Sequence, residues 1–167
     1  MEFGLKDYNP FYSLCSGNHK EIAKEVHDKL PKKIQEKIQK NHVMICDYFF
    51  HSKFPDRRIH GMPMGFFNTA SKLIDLIPEE TRRLSKDGLR GLIAHEIAHF
   101  HIETLFFPIK KLKRFIFLQR FKKLPLEWQK FYREPEEFHA DWVAIKWGFE
   151  KEISTMNQER QIKPSEN

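Results

Sequence analysis

The sequence predicts an α+β fold, with a short mixed or antiparallel sheet in its first half and two site-bearing helices after it. Three observations predict this. HVMICDYFF at 42–50 is a bounded run of apolar and aromatic residues, the pattern of a buried strand. GFFNTASKLIDLIP at 65–78 splits around Asn-Thr-Ala-Ser, with Phe66 and Phe67 before the turn and Leu73, Ile74, Leu76 and Ile77 after it, the pattern of a hairpin. Helical periodicity then takes over, in segments near 85–106 and 135–148.

The elements follow in order. Residues 1–17, with Pro10, Gly17 and several aromatics, read as an irregular arm lying on the core. Asn18 is in position to cap a helix, with Glu21 at the capping-box position. Ile22, Val26, Leu30, Ile34 and Ile38 continue at helical spacing, but Pro31 interrupts them and predicts two helices or one kinked helix. Pro55, Gly61, Pro63 and Gly65 mark a loop between the first strand and the hairpin, and Pro78 ends the hairpin. Ser85 or Asp87 can cap the following helix, which runs to about Phe106, before Pro108. Pro135 falls in the first turn of the last clear helix and Gly148 at its C-cap. One domain is expected over 1–153, with a polar, disordered tail over 154–167.

Composition narrows the setting. Hydrophobic residues make up 40% and charged residues 31%, ordinary for a soluble globular protein, and sixteen Phe imply a core of large side chains or some apolar surface. Cys15 and Cys46 form no C-x-x-C pair and read as free thiols. The first residues have neither the basic nor the apolar region of a secretory signal, and no apolar run approaches a membrane span, so a cytoplasmic location is expected. Net charge is +6. Seven Lys or Arg and no acid fall within 108–124, a striped segment with Ile109, Leu112 and Ile116. Its basic face, from Lys110 to Lys123, is either simply solvated or a surface for an anionic partner, nucleic acid or lipid.

The helix at 85–106 contains His95-Glu96-Ile97-Ala98-His99. Histidines four apart lie one turn apart on one face, so both imidazoles can reach one metal ion, and H-E-x-x-H is a zinc-site pattern. Glu96 sits where it can polarise a water in an open coordination position. Leu89, Ile93, Ile97, Phe100 and Thr104 form an apolar stripe, while Leu92, His95, Glu96, His99 and Glu103 share the neighbouring face. A catalytic zinc takes three protein ligands, and the candidates for the third are His101, Glu103, Glu136, Glu137, His139 and Asp141. His101 lies roughly 160° around the helix from His99, which removes it. Glu103 shares the His99 face, but three ligands from one straight helix rarely close a tetrahedron. On the last helix Glu137, Asp141 and Ala144 share a face, with His139 roughly 160° from Glu137. Glu137 and His139 are therefore rival ligands. Glu137 has the better company, because Asp141 can accept the second ring N–H of a ligand histidine.

HEIAH followed by Glu137-Phe138-His139-Ala140-Asp141-Trp142-Val143-Ala144 resembles the gluzincin metallopeptidases, in which H-E-x-x-H and a downstream E-x-x-A-D-x-x-A recur together. It is most similar to the HtpX-like and CAAX-processing proteases, the soluble minigluzincins and the ImmA/IrrE-type proteases. The resemblance covers about 60–150. It implies a small zincin-like metallopeptidase domain cutting a protein or peptide substrate. It also implies Zn2+ on His95, His99 and Glu137, Glu96 as general base, and Asp141 behind a ligand histidine. It further implies that the last hairpin strand, near 72–77, is the sheet edge that holds an extended peptide. The transmembrane helices of the membrane families and a helix-turn-helix extension are missing. No residue is assigned to steady an oxyanion, and Tyr132 and His139 are the candidates. The alternative is a zinc-binding but latent or regulatory module, with 150–167 folded over the cleft.

Overall fold

In the computed structural model, residues 9–15, 17–47, 65–68, 71–106, 110–132 and 134–161 are described. After a short 3-10 turn at Pro10–Tyr12 come α1 (Gly17–Lys29), α2 (Lys32–Lys40) and β1 (Met44–Asp47). Then follow β2 (Gly65–Asn68), β3 (Leu73–Leu76), the single turn α3 (Pro78–Thr81) and the long α4 (Lys86–Phe106). Four more helices follow among the described residues: α5 (Lys110–Phe121), α6 (Leu126–Phe131), α7 (Pro135–Lys146) and α8 (Glu150–Gln161). The class is α+β, mostly helical with a small three-stranded mixed sheet. No described helix is long and apolar enough to cross a membrane.

Local chemistry sets the boundaries. Pro31, at φ −54° and ψ 137°, separates α1 from α2 because it cannot continue a helical hydrogen-bond ladder. The first helix begins at Gly17, so Asn18 lies inside its first turn rather than capping it. Ser85 caps α4, its Oγ accepting the Gly88 N–H at 3.1 Å. Gly148, at φ +91°, closes α7: its N–H and that of Phe149 bond back to the carbonyls of Ile145 and Ala144.

The hairpin forms as its sequence requires, β2 pairing antiparallel with β3. Its place in the sheet differs from expectation. The strand order is β1-β3-β2, with β1 parallel to β3, so the strand near 72–77 is the middle strand and not an edge. Burial gives the reason: Ile74, Asp75 and Leu76 are all buried, as in a strand covered on both faces and both sides. Among the described residues, β2 is the hairpin strand with one side unpaired.

The long helix α4 is the axis of the molecule. Residues 91–98 are buried without a break, so α4 is enclosed on nearly every side rather than two-sided. On it pack α1, β2, α7 and α8. Phe67 of β2 meets Phe100 edge to face at 5.6 Å between ring centres. His19 of α1 bonds Asp47 at 2.5 Å and Thr81 at 3.0 Å, tying together α1, the end of β1 and α3.

The tail also departs from expectation. Residues 150–161 form α8, with Ile153 and Met156 buried, and disorder from residue 154 is wrong as far as Gln161. The helix has a polar outer face, which dominates its composition, and an inner face laid on the α4 backbone. It lies directly on α4: a Cβ at Gly91 would run into the backbone carbonyl of Glu152. Gly91→Ala is therefore expected to cost about 2 kcal/mol, lowering the melting temperature by about 6 °C. An unchanged thermal melt would mean that the helices are not so closely apposed.

Candidate metal centre

His95 and His99 stand one turn apart on α4, their rings edge to face with centres 4.7 Å apart. The imidazole of His95 is buried, and that of His99 is partly exposed. Glu137 enters from the first turn of α7. His95 Nε2 lies 3.0 Å from His99 Nε2 and 3.2 Å from Glu137 Oε2, and His99 Nε2 lies 3.3 Å from Glu137 Oε1. A tetrahedral metal ion about 2.1 Å from each ligand atom sets those atoms about 3.4 Å apart. The triangle is thus close to the size a metal ion requires. Among the described residues, these three form the one such group of His, Cys, Asp or Glu with the geometry to hold a metal ion.

The hydrogen bond behind the triangle decides which nitrogen faces it. His95 Nδ1 donates to Asp141 Oδ1 at 2.6 Å, leaving the Nε2 lone pair for the front. Asp141 itself is buried, and its Oδ2 accepts from the Tyr132 hydroxyl at 2.7 Å and the Asn157 amide at 2.8 Å. Burial would push the Asp141 carboxyl up, but its bonds to His95, Asn157 and Tyr132 prevail and hold it below its usual range. Burial and the Asp141 charge push the Tyr132 hydroxyl up, so it remains a donor.

Without a metal ion, a proton closes the triangle. Burial opposes charging of His95, but its bonds to Asp141 and Glu137 outweigh this and lift its pKa from 6.5 to about 10. Those same histidines hold the Glu137 carboxyl far below its usual range. A neutral His95 would instead set its Nε2 lone pair against the Glu137 carboxylate, an arrangement that only a cation relieves.

The other candidates lie elsewhere. His101 faces Lys37 Nζ at 3.3 Å and meets the Trp147 ring edge on, and burial with Lys37 lowers its pKa to about 4. Glu103 and Glu136 are outside the cluster. His139 stacks flat on Phe117 of α5 at 3.8 Å, its Nδ1 bonded to the Pro135 carbonyl and its Nε2 buried without a partner. Of the two oxyanion candidates, Tyr132 is committed to Asp141 and His139 to the α5 contact. Asn157 carries no sequence signal: it lies in a stretch whose composition reads as a tail.

Comparison with protein-family models, curated proteins and solved structures returned no match. The likeness to gluzincins rests on the two motifs.

Metal-free protein should lose stability with rising pH over a window in which metal-loaded protein does not. In the metal-free protein His95 has a raised pKa, so its contribution is full below about 6.5 and is lost as pH rises toward about 10. Metal binding displaces that proton, so affinity should rise about tenfold per pH unit over the same window. Thermal melts with and without added metal should therefore diverge with rising pH, and a constant separation would exclude His95 as a ligand. Asp141→Asn should weaken metal binding by roughly 10–100-fold, read by competition with a chelator.

Proposed function

We propose that this chain is a zinc-dependent endopeptidase with a zincin-like catalytic domain. The observation that carries the reading is the convergence of His95, His99 and Glu137 from two helices, with Asp141 behind one histidine and Glu96 between the two. Two histidines and a carboxylate are a donor set of catalytic zinc, which keeps its fourth position open. When bound, zinc supplies Lewis acidity, polarising an amide carbonyl and acidifying water.

The chain's own residues do the rest. Glu96 is buried and, among the described residues, makes no hydrogen bond or ion pair, so its carboxylate is free to act as general base. It takes a proton from the attacking water and returns it to the leaving amine. Asp141 keeps His95 in the tautomer that presents Nε2. Tyr132 and Asn157 fix Asp141 in turn. Among the described strands β2 is at the margin of the sheet, its Phe67 touching α4, and it is the strand beside which an extended peptide would lie.

Glu96→Gln should retain full metal content and lose roughly 10³-fold in peptide hydrolysis, measured beside wild type on a mixed unfolded-protein substrate. Hydrolysis at the wild-type rate by the loaded variant would remove Glu96 as base. Metal bound in both proteins with no hydrolysis in either would favour the alternative, a metal-holding regulatory module.

A further inference from the structure

The helix α5 carries a second apolar stripe for which the fold has no use. Its inner side is accounted for: Phe117 is buried and stacks on His139 of α7. Phe115 and Leu118 share another side of the helix, three residues apart and roughly 160° and 100° from Phe117. They are 60% and 38% exposed. Lys122, in the turn that extends the helix, continues their stripe and is exposed, as is Lys123. Two large apolar side chains next to each other on a solvent-facing helix side, rimmed by cations, are the pattern of an interaction surface.

Charge selects the cover. The segment 108–124 holds seven Lys or Arg and no acid. Two copies of such a face repel each other, which argues against self-association. Nucleic acid would satisfy the cations and could stack on Phe115, but it offers the aliphatic Leu118 no apolar cover. An anionic lipid surface satisfies both: headgroups pair with the cations while aromatic and aliphatic side chains sink to the acyl boundary. The lysine stems can lie along the apolar stripe and carry their ammonium groups up to the phosphates. Leu126 and Trp128, exposed just beyond the helix, are of the residue types that favour that boundary.

We propose that α5 is a membrane-surface docking helix, which seats the protein on anionic lipid through Phe115, Leu118, Lys122 and Lys123 without crossing the bilayer. The metal site plays no part in this binding.

The test is co-sedimentation of the full chain with vesicles of phosphatidylcholine mixed with phosphatidylserine, beside vesicles of phosphatidylcholine alone. Binding is expected only to the mixed vesicles, and it should weaken as salt is raised. Phe115→Ser with Leu118→Ser should reduce partitioning at least about tenfold while metal content and circular dichroism stay unchanged. Because both positions are exposed, the fold should tolerate the change. Lys122→Ser with Lys123→Ser should reduce binding separately and flatten its salt dependence. The proposal is overturned by failure to bind mixed vesicles at low salt, or by equal binding of the Phe115 and Leu118 double variant. Tighter salt-sensitive binding to an oligonucleotide, unaffected by that variant, would also overturn it and mark the face as nucleic-acid binding.

Discussion

The arrangement depends on one buried carboxylate. Asp141 lies among apolar neighbours, where an unpaired charge would be expensive. It persists because donors from three parts of the chain converge on it: His95 from α4, Tyr132 from the end of α6 and Asn157 from α8. Each donor is also held in place by that charge. The same contacts that make burial tolerable set the ring of His95, and through it the triangle with His99 and Glu137. Site geometry and helix packing are thus one problem, solved by the same three hydrogen bonds.

Around that carboxylate the helices must approach closely, and small residues permit it. Gly91 admits the α8 backbone against α4. Ala98 on α4 and Ala140 and Ala144 on α7 are fully buried between large neighbours. The fold thus closes over the stretch of α4 that carries His95, Glu96 and His99. Only His99 and Glu137 retain exposure, so whatever reaches the triangle must come from their side.

Much of this is legible in the chain itself. Pro31 divides α1 from α2, Asn-Thr-Ala-Ser turns the hairpin and Gly148 ends α7, because proline, turn and left-handed positions constrain the backbone within a few residues. The angular argument that sets His101 aside and favours Glu137 works for a similar reason: helix geometry is regular over two turns. The order of the strands is a different matter. Whether β3 is an edge depends on β1, nearly thirty residues away, and no local pattern records that pairing. The helix α8 is hidden by its outer face: only Ile153 and Met156 betray its inner side, and Asn157 is one polar residue among many. Tyr132 stands out as an aromatic near the site, but its hydroxyl is committed to Asp141 rather than to a substrate, which only the packed structure reveals.

The position of Asn157 has a consequence for the order in which the site can be built. Synthesis delivers α4 with both histidines first, then α7, and α8 only about fifteen residues later. A chain still short of α8 has Asp141 without one of its three donors and α4 without its largest cover. Metal met at that stage finds the ligands present but loosely held. The helix α8 therefore acts as a checkpoint in time, so that a firm metal site, and any chemistry it supports, arrives only once that helix has been made and packed.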